Sequence, residues 1–391
     1  MKNIGMGLVG PGFIAAHHID AVRRLGTVDV VAIAGTSVAS ATRRATELHV
    51  DRAYGDYLEL IADPDVQVIH NTTPNHLHFA VSSAALAAGK HVISDKPLAM
   101  TLAESRALCD QASAAGVAHV LTFNYRGNAM VQQARCLIGR GELGTVRFIH
   151  GHYLQDWMSD PDVYSWRSDP MKGGATSALG DIGSHWCDLV EHVSGSRIVS
   201  VLAELTTAVS TRYSASVSSM AFTQNSTAER SPVPMVSEDL ASVLLRFEDG
   251  VKGCLSVGQV LPGHDNDLQI ELNGSTASTR WCQERPNALW LGRFSQSNVL
   301  LDRHPALLDP EAARYAHLPG GHPEGWADAF RNVMSDAYEW IRAGAAPQDK
   351  PVATATFDDG YRNHRIIDAM LRSHAAGGMW TSVVQSLKGP L

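Results

Sequence analysis

The spacing of apolar positions changes once along this chain, near residue 124. Before it, short apolar runs alternate with stretches of helical period. Residues 4–9 (IGMGLV), 28–34 (VDVVAIA), 66–70 (VQVIH), 90–94 (KHVIS) and 117–122 (VAHVLT) read as strands buried on both faces, the pattern of a parallel sheet. Helical spacing covers 13–21, 39–48, 56–61, 79–88 and 101–115, and Thr101 with Glu104 gives the last a capping box. Beyond residue 124 the rhythm becomes two-residue alternation. Strands are expected over 145–153, 241–247, 251–257, 268–272 and 288–292, with turns at Asp249-Gly250 and Asn273-Gly274. Helices are expected over 130–139, 327–341 and 361–372. The Ser/Thr-rich stretch 205–237, with Pro232 and Pro234, reads as a strand followed by a long excursion.

Strand–helix alternation followed by meandering strands predicts two domains, residues 1–124 and 125–391. The first is expected to be α/β with a parallel sheet. The second is expected to be α+β with a large, open, mainly antiparallel sheet, suited to a subunit contact.

The first strand runs directly into Gly10-Pro11-Gly12 and then a helix. Such a junction gathers free backbone N–H groups and the positive helix end at one point, where a pyrophosphate is stabilised. Gly10 supplies the tight turn, Gly12 the close approach, and Ala15 a small contact between helix and strand. This marks a Rossmann-type dinucleotide cradle. At the end of the second strand, where an acid would hold a ribose 2′-hydroxyl, stand Gly35, Thr36 and Ser37. Without that acid a 2′-phosphate is not repelled, so the pattern leans to NADP and leaves NAD open.

Residues past the carboxyl ends of parallel strands face the ligand crevice. This picks out Thr73, Pro74, Asn75 and His78 after one strand, Asp95-Lys96-Pro97 after the next and Asn124 after the last. With Gly10, Gly12, Phe13, Ile14, Thr36 and Ser37 they form the expected cofactor set. In the second half, Asp181 and His185 stand four residues apart, with Asp188 three further on, so one helix would carry all three on one face. Oxidising a secondary alcohol needs a base for the hydroxyl proton and a cation beside the developing alkoxide. His185 suits the first role, Lys96 the second, and Asp181 can orient the hydroxyl or bias its neighbours' ionisation. The segment 155–167 (QDWMSDPDVYSWR) sets flat aromatic faces among polar groups, as a carbohydrate ring requires; an exposed loop anchored by its tryptophans is the equal alternative on these residues alone.

Composition removes other classes. The 391 residues carry a net charge of −8, with no basic excess to neutralise nucleic-acid phosphates. Five scattered cysteines without CxxC spacing fit reduced thiols in a cytoplasm. Eighteen histidines form no HExxH pattern, so no metal site is expected. No apolar run approaches the roughly 20 residues of a membrane span, and entry straight into a strand leaves no room for a signal peptide.

VGPGFIA (Val9 to Ala15), TPNHLH (Thr73 to His78), DKP (Asp95 to Pro97) and GDIGSHWCDL (Gly180 to Leu189) together resemble the Gfo/Idh/MocA oxidoreductases. The resemblance implies NAD(P)-dependent chemistry on a sugar, polyol or related hydroxyl compound, in a homodimer or homotetramer built on the second sheet. The family's lysine, aspartate and histidine fall on Lys96, Asp181 and His185, and its usual Glu before Lys-Pro is Asp95 here. It also turns Tyr153, Gln155, Asp156, Trp157, Trp166 and Arg167 into expected pocket residues, similar to the levoglucosan- and glycoside-oxidising branch. Tyr125, Arg126 and His322 complete the expected substrate set. Two rival readings use the same fold: a non-catalytic dinucleotide-sensing regulator, and an NAD-dependent enzyme that cleaves glycosides by transient oxidation.

Overall fold

The computed structural model describes residues 3–215, 230–344 and 353–384. Part of the Ser/Thr-rich excursion lies outside these residues.

Six parallel strands form the first sheet: β1 (Ile4–Val9), β2 (Val28–Ala34), β3 (Arg52–Tyr54), β4 (Val68–Asn71), β5 (His91–Ser94) and β6 (His119–Leu121). Their order is β3-β2-β1-β4-β5-β6. The chain reverses its direction of travel across the sheet between β1 and β4. The crevice outside their carboxyl ends is therefore the binding position of such a sheet. Helices α1 (Phe13–Leu25), α2 (Val38–Glu47), α3 (Tyr57–Ala62), α4 (Asn75–Ala87) and α5 (Leu102–Ala115) connect the strands. Strand β4 is buried along its whole length, and β1 and β5 are buried beyond their first residue. The three-residue β3 escaped the sequence pattern because it is a short, partly exposed edge strand.

After α6 (Ala129–Gly139) comes β7 (Val146–Leu154), then α7 (Pro170–Gly173) and α8 (Ser184–Ser194). The remaining strands are β8 (Ile198–Thr206), β9 (Thr211–Ala215), β10 (Arg230–Pro234), β11 (Leu240–Phe247), β12 (Lys252–Gly258), β13 (Asp267–Gly274), β14 (Ala277–Cys282), β15 (Ala288–Arg293), β16 (Val299–Asp302) and β17 (Thr381–Ser382). Strands β9 and β10 pair separately; the others join β7 in a nine-stranded sheet ordered β16-β15-β14-β13-β7-β12-β11-β8-β17. Only the β7–β12 pairing is parallel, because α8, β8 and β11 intervene in sequence. Burial along β11 alternates strictly, so one face is packed and the other open. On the packed face Trp186 of α8 donates from Nε1 to the Gln269 carbonyl (2.9 Å). Gly151 makes that fit possible, since a Cβ there would lie 2.7 Å from the indole nitrogen.

The last part of the chain returns to the first sheet. After α9 (Pro310–Ala313), helix α10 (Trp326–Ala343) lies on α1, where Asp328 pairs with Arg24 (2.5 Å). Helix α11 (Phe357–Ala375) bridges both halves: His364 bonds Ser105 of α5 (2.9 Å), and Arg362 grips Glu191 of α8 (2.6 Å).

Candidate active site

One cavity of about 1010 Å³ runs along the crevice between the two halves. Its nucleotide side begins at Gly10, whose φ of 87° favours glycine and where a Cβ would lie 2.7 Å from Thr73 Cα. At Gly12 an added Cβ would meet nothing closer than the Gly10 oxygen at 4.0 Å, so that side is open. Helix α1 starts at Gly12 without a side-chain cap and without an acid in its first turn, so its N-terminal N–H groups are left for an anion. Thr72 Oγ1 donates to the Gly10 carbonyl (2.8 Å) and fixes the turn against the end of β4. These residues fit a dinucleotide pyrophosphate. Phe13, Ile14, Gly35, Thr36, Ser40, Thr73, Pro74, Asn75, Asp95 and Asn124 line the same crevice.

Lys96 leaves the end of β5 and reaches the other half. Its Nζ donates to Asp181 Oδ1 (2.6 Å) and to the Asp181 carbonyl (2.8 Å). Residues Leu179–Gly183 form a π turn, not the continuous α-helix expected from the spacing. Ser184 N–H accordingly bonds back to the Leu179 carbonyl, and Ser184 Oγ takes the Gly180 carbonyl (2.8 Å). Burial pushes the Asp181 carboxyl up, but Lys96, Arg167 and the Gln259 amide outweigh it and hold it well below the usual carboxylate range. His185 follows in the first turn of α8, packed against the rings of Phe123 and Tyr125. Burial, then the Lys96 charge, pushes its imidazole down to about 3. Its buried Nδ1 has no hydrogen-bond partner among the described residues.

The opposite wall is a connected polar net on an aromatic base. Tyr153 donates to Asn266 Oδ1 (2.6 Å) and meets Tyr125 Oη (2.6 Å). Gln155 donates to the same Asn266 oxygen (3.1 Å) and accepts from Trp157 Nε1 (3.0 Å). Gln259 closes the net: its amide donates to Gln155 Oε1 (3.2 Å) and Asp181 Oδ2 (2.8 Å). Arg167 stacks on Trp166 at 4.6 Å and turns its Nε to within 3.9 Å of Asp181.

A family model described as the oxidoreductase family NAD-binding Rossmann fold matches residues 4–123, and one described as the GFO/IDH/MocA C-terminal domain matches 131–280. This chain belongs to the GFO/IDH/MocA family. It is an oxidoreductase with that family's NAD-binding domain. Levoglucosan dehydrogenase of Pseudarthrobacter phenanthrenivorans is 29% identical, over 98% of this chain and 99% of its own. The structure of levoglucosan dehydrogenase in complex with NADH and levoglucosan superposes with a TM-score of 0.87 at 28% identity, over 98% of this chain and all of that one. An oxidoreductase from Sinorhizobium meliloti gives 0.83 at 34% identity, over 97% and 99%.

Five expected site residues of this GFO/IDH/MocA chain do not reach the cavity lining. Ser37 is spent on the capping box of α2. His78 is buried between two carbonyls, Pro97 (2.6 Å) and Thr73 (2.9 Å), and braces the β4 and β5 loops. Arg126 forms a two-bonded pair with Asp188 (2.8 and 2.5 Å), and neither lines the cavity. Asp156 sits in a turn closed by Ser159 N–H onto its carbonyl (2.8 Å). His322 is exposed, beside the carbonyl of its neighbour Gly320. Conversely, Gln259, Asn266, Trp326, Phe330 and Asn363 line the cavity without having been singled out. Gln259 follows β12 as Lys96 follows β5, but a lone Gln after a strand carries no motif. Trp326 and Phe330 are four apart on the apolar face of α10, where the pattern signals only core.

Proposed function

We propose that this chain transfers a hydride between a nicotinamide dinucleotide and a ring hydroxyl or ketone of a neutral sugar, glycoside, anhydrosugar or cyclitol. The observation carrying this reading is that Lys96 from one half and His185 from the other line one cavity, against the Asp181 carboxylate. A bound nicotinamide supplies the hydride acceptor or donor. Lys96 has three N–H donors, and two are spent on Asp181, so the third is available to the oxygen of the reacting carbon. As that oxygen gains charge during oxidation, the ammonium stabilises it. Burial and the Lys96 charge keep the His185 imidazole in its neutral form, and its Nδ1, without a hydrogen-bond partner among the described residues, is the atom to accept the hydroxyl proton. The imidazolium so formed stands beside Lys96 and is driven to pass the proton on. Asp181 holds the ammonium in place and, through Gln259, ties the reacting end to the polar net.

A neutral substrate is favoured because the cationic side chains Lys96 and Arg167 already face Asp181. Trp157, Trp166 and Tyr153 offer apolar faces to a sugar ring, with Gln155 and Asn266 beside them for hydroxyls. Of the two dinucleotides we favour NADP, because no carboxylate stands at Gly35 and the hydroxyls of Thr36 and Ser40 face the crevice. A Cβ at Gly35 would lie 3.1 Å from Ser40 Oγ, so a larger residue there would displace the hydroxyl. The division at Asn124, a homodimer or homotetramer on the open sheet face, and a cytoplasmic address for its five free thiols belong to the same reading.

The test is a panel of neutral sugars, glycosides, anhydrosugars and cyclitols, each offered with NAD and NADP and followed by nicotinamide absorbance. Turnover on at least one ring hydroxyl supports the reading. Released sugar without net absorbance change would favour the glycoside-cleaving alternative, and dinucleotide binding without any turnover would favour the regulator.

A further inference from the structure

The two walls of the substrate cavity, residues 157–167 and 177–185, are both held by one dipeptide that does not touch the cavity. Glu238 and Asp239 stand just before and at the entry to β11, 4% and 5% exposed, and neither lines the cavity. The Glu238 carboxylate accepts from the N–H groups of Ser177 and Leu179 (2.9 and 2.8 Å), and its own carbonyl accepts from Ala178 (3.3 Å). Three successive N–H groups at the start of the segment bearing Asp181 and His185 are thus held from one residue. No side chain of that segment caps its beginning, so the cap comes from Glu238, just ahead of β11.

Asp239 holds the other wall through an arginine. Its Oδ1 pairs with Arg212 Nη2 (3.0 Å), and Oδ2 accepts from Val209 N–H (2.8 Å). Arg212 is 1% exposed, and its Nη1 points at the carbonyls of Met158 (2.8 Å), Asp160 (3.2 Å) and Val163 (3.3 Å). Those carbonyls belong to the loop that presents Trp157 and Trp166. The Asp239 carbonyl also accepts from Gln259 N–H (3.1 Å), and the Gln259 side chain contacts Asp181.

We infer that Glu238 and Asp239, with Arg212, are positioning residues that set the reacting end and the sugar-stacking wall independently, one carboxylate for each. Resting on the dehydrogenase reading for its kinetic half, this inference says which property each carboxylate controls. Glu238 sets Asp181 and His185, hence the rate of the bound complex. Asp239 and Arg212 set Trp157 and Trp166, hence the affinity for sugar. Burial pushes the Glu238 carboxyl up to about 7, and a neutral acid still offers one oxygen to both N–H groups. Glu238→Gln therefore keeps the hold in shape, whereas Glu238→Ala abolishes it.

The test is hydrogen exchange by mass spectrometry on the full-length variants, alongside kinetics on the best panel substrate. Glu238→Ala should raise exchange in peptides covering 177–185 and leave 157–167 near wild type, and Glu238→Gln should restore protection. Arg212→Met and Asp239→Asn should do the reverse. Misplacement of about 1 Å is enough for roughly a 10²-fold effect, so Glu238→Ala should lower kcat at least about tenfold, with KM within about threefold. Arg212→Met should raise KM by a similar factor with kcat little changed. Exchange that rises in both segments with either variant, or in neither, overturns the inference. Exchange needs no turnover, so a wild type without activity on the panel would count against the dehydrogenase reading alone. If Glu238→Ala does not fold, Glu238→Asp, one methylene too short to reach both N–H groups, takes its place with the same rise in exchange expected over 177–185.

Discussion

Lys96 and Asp181, 85 residues apart, are joined twice: the ammonium lies 2.6 Å from the carboxylate and 2.8 Å from the carbonyl of the same aspartate. The second contact uses the backbone of the π turn that carries Asp181. Replacing the carboxylate tests the pairing with little change of shape. In Asp181→Asn the lysine keeps the carbonyl contact and loses its counter-charge. Activity should fall about 10²–10³-fold in kcat, the scale of losing one preorganised charge at a reacting centre. Dinucleotide Kd, read by tryptophan quenching, should stay within about twofold.

Gly10 makes a separate prediction on the nucleotide side. In Gly10→Ala the new Cβ meets Thr73 backbone at 2.7 Å and sits at a φ of 87°. The strain should cost about 1–3 kcal/mol in stability. Dinucleotide affinity, by calorimetric titration, should fall at least about tenfold, since the turn that aims the α1 N–H groups must move.

Acid sensitivity should come from buried histidines. His18 and His70 face each other through their Nδ1 atoms (2.9 Å), and His70 Nε2 meets Tyr338 Oη (2.9 Å). Burial lowers His18 to about 4 and holds His70 well below its ordinary value; in both cases neighbouring histidine charge adds to the effect. A histidine whose folded pKa is depressed contributes stability that is present above its unfolded value near 6.5 and lost as pH falls towards the folded value. Each such group costs up to about 1.4 kcal/mol per pH unit over that window. The melting temperature should therefore drop between about pH 6.5 and pH 4. A His70→Asn variant should show a shallower drop by calorimetry, whatever its stability at pH 7.

Arg126 was expected to touch substrate and instead pairs with Asp188 inside the protein. Arg126→Ala leaves Asp188 buried without its counter-ion, at a cost of about 3–5 kcal/mol by urea denaturation. The surviving folded enzyme should keep a KM near wild type. A raised KM with unchanged stability would return Arg126 to the substrate site.

These cases show what the residues alone could convey. That Gly10, Lys96, Asp181 and His185 line one cavity was legible because each sits in a short motif whose spacing has a mechanical reason. The parallel strands were legible because burial on both faces leaves continuous apolar runs, as at β1. Arg126, His78 and His322 misled, because a polar residue near a motif looks the same whether it faces a cavity or braces a loop. Gln259 and Asn266 were silent for the opposite reason: their partners Asp181 and Tyr153 lie 78 and 113 residues away, and local spacing carries no trace of that pairing. The π turn was equally hidden, since one extra residue per turn leaves the i, i+4 pattern of Asp181 and His185 unchanged on paper.

The central claim is that an ammonium and an imidazole from opposite halves act on one alcohol carbon. Its most direct measurement is the single-turnover rate of Lys96→Ala and His185→Ala, each pre-saturated with dinucleotide and mixed with the best panel substrate. The account predicts that each falls at least about 10²-fold in rate while binding dinucleotide as wild type does. Rates near wild type in both variants would contradict it.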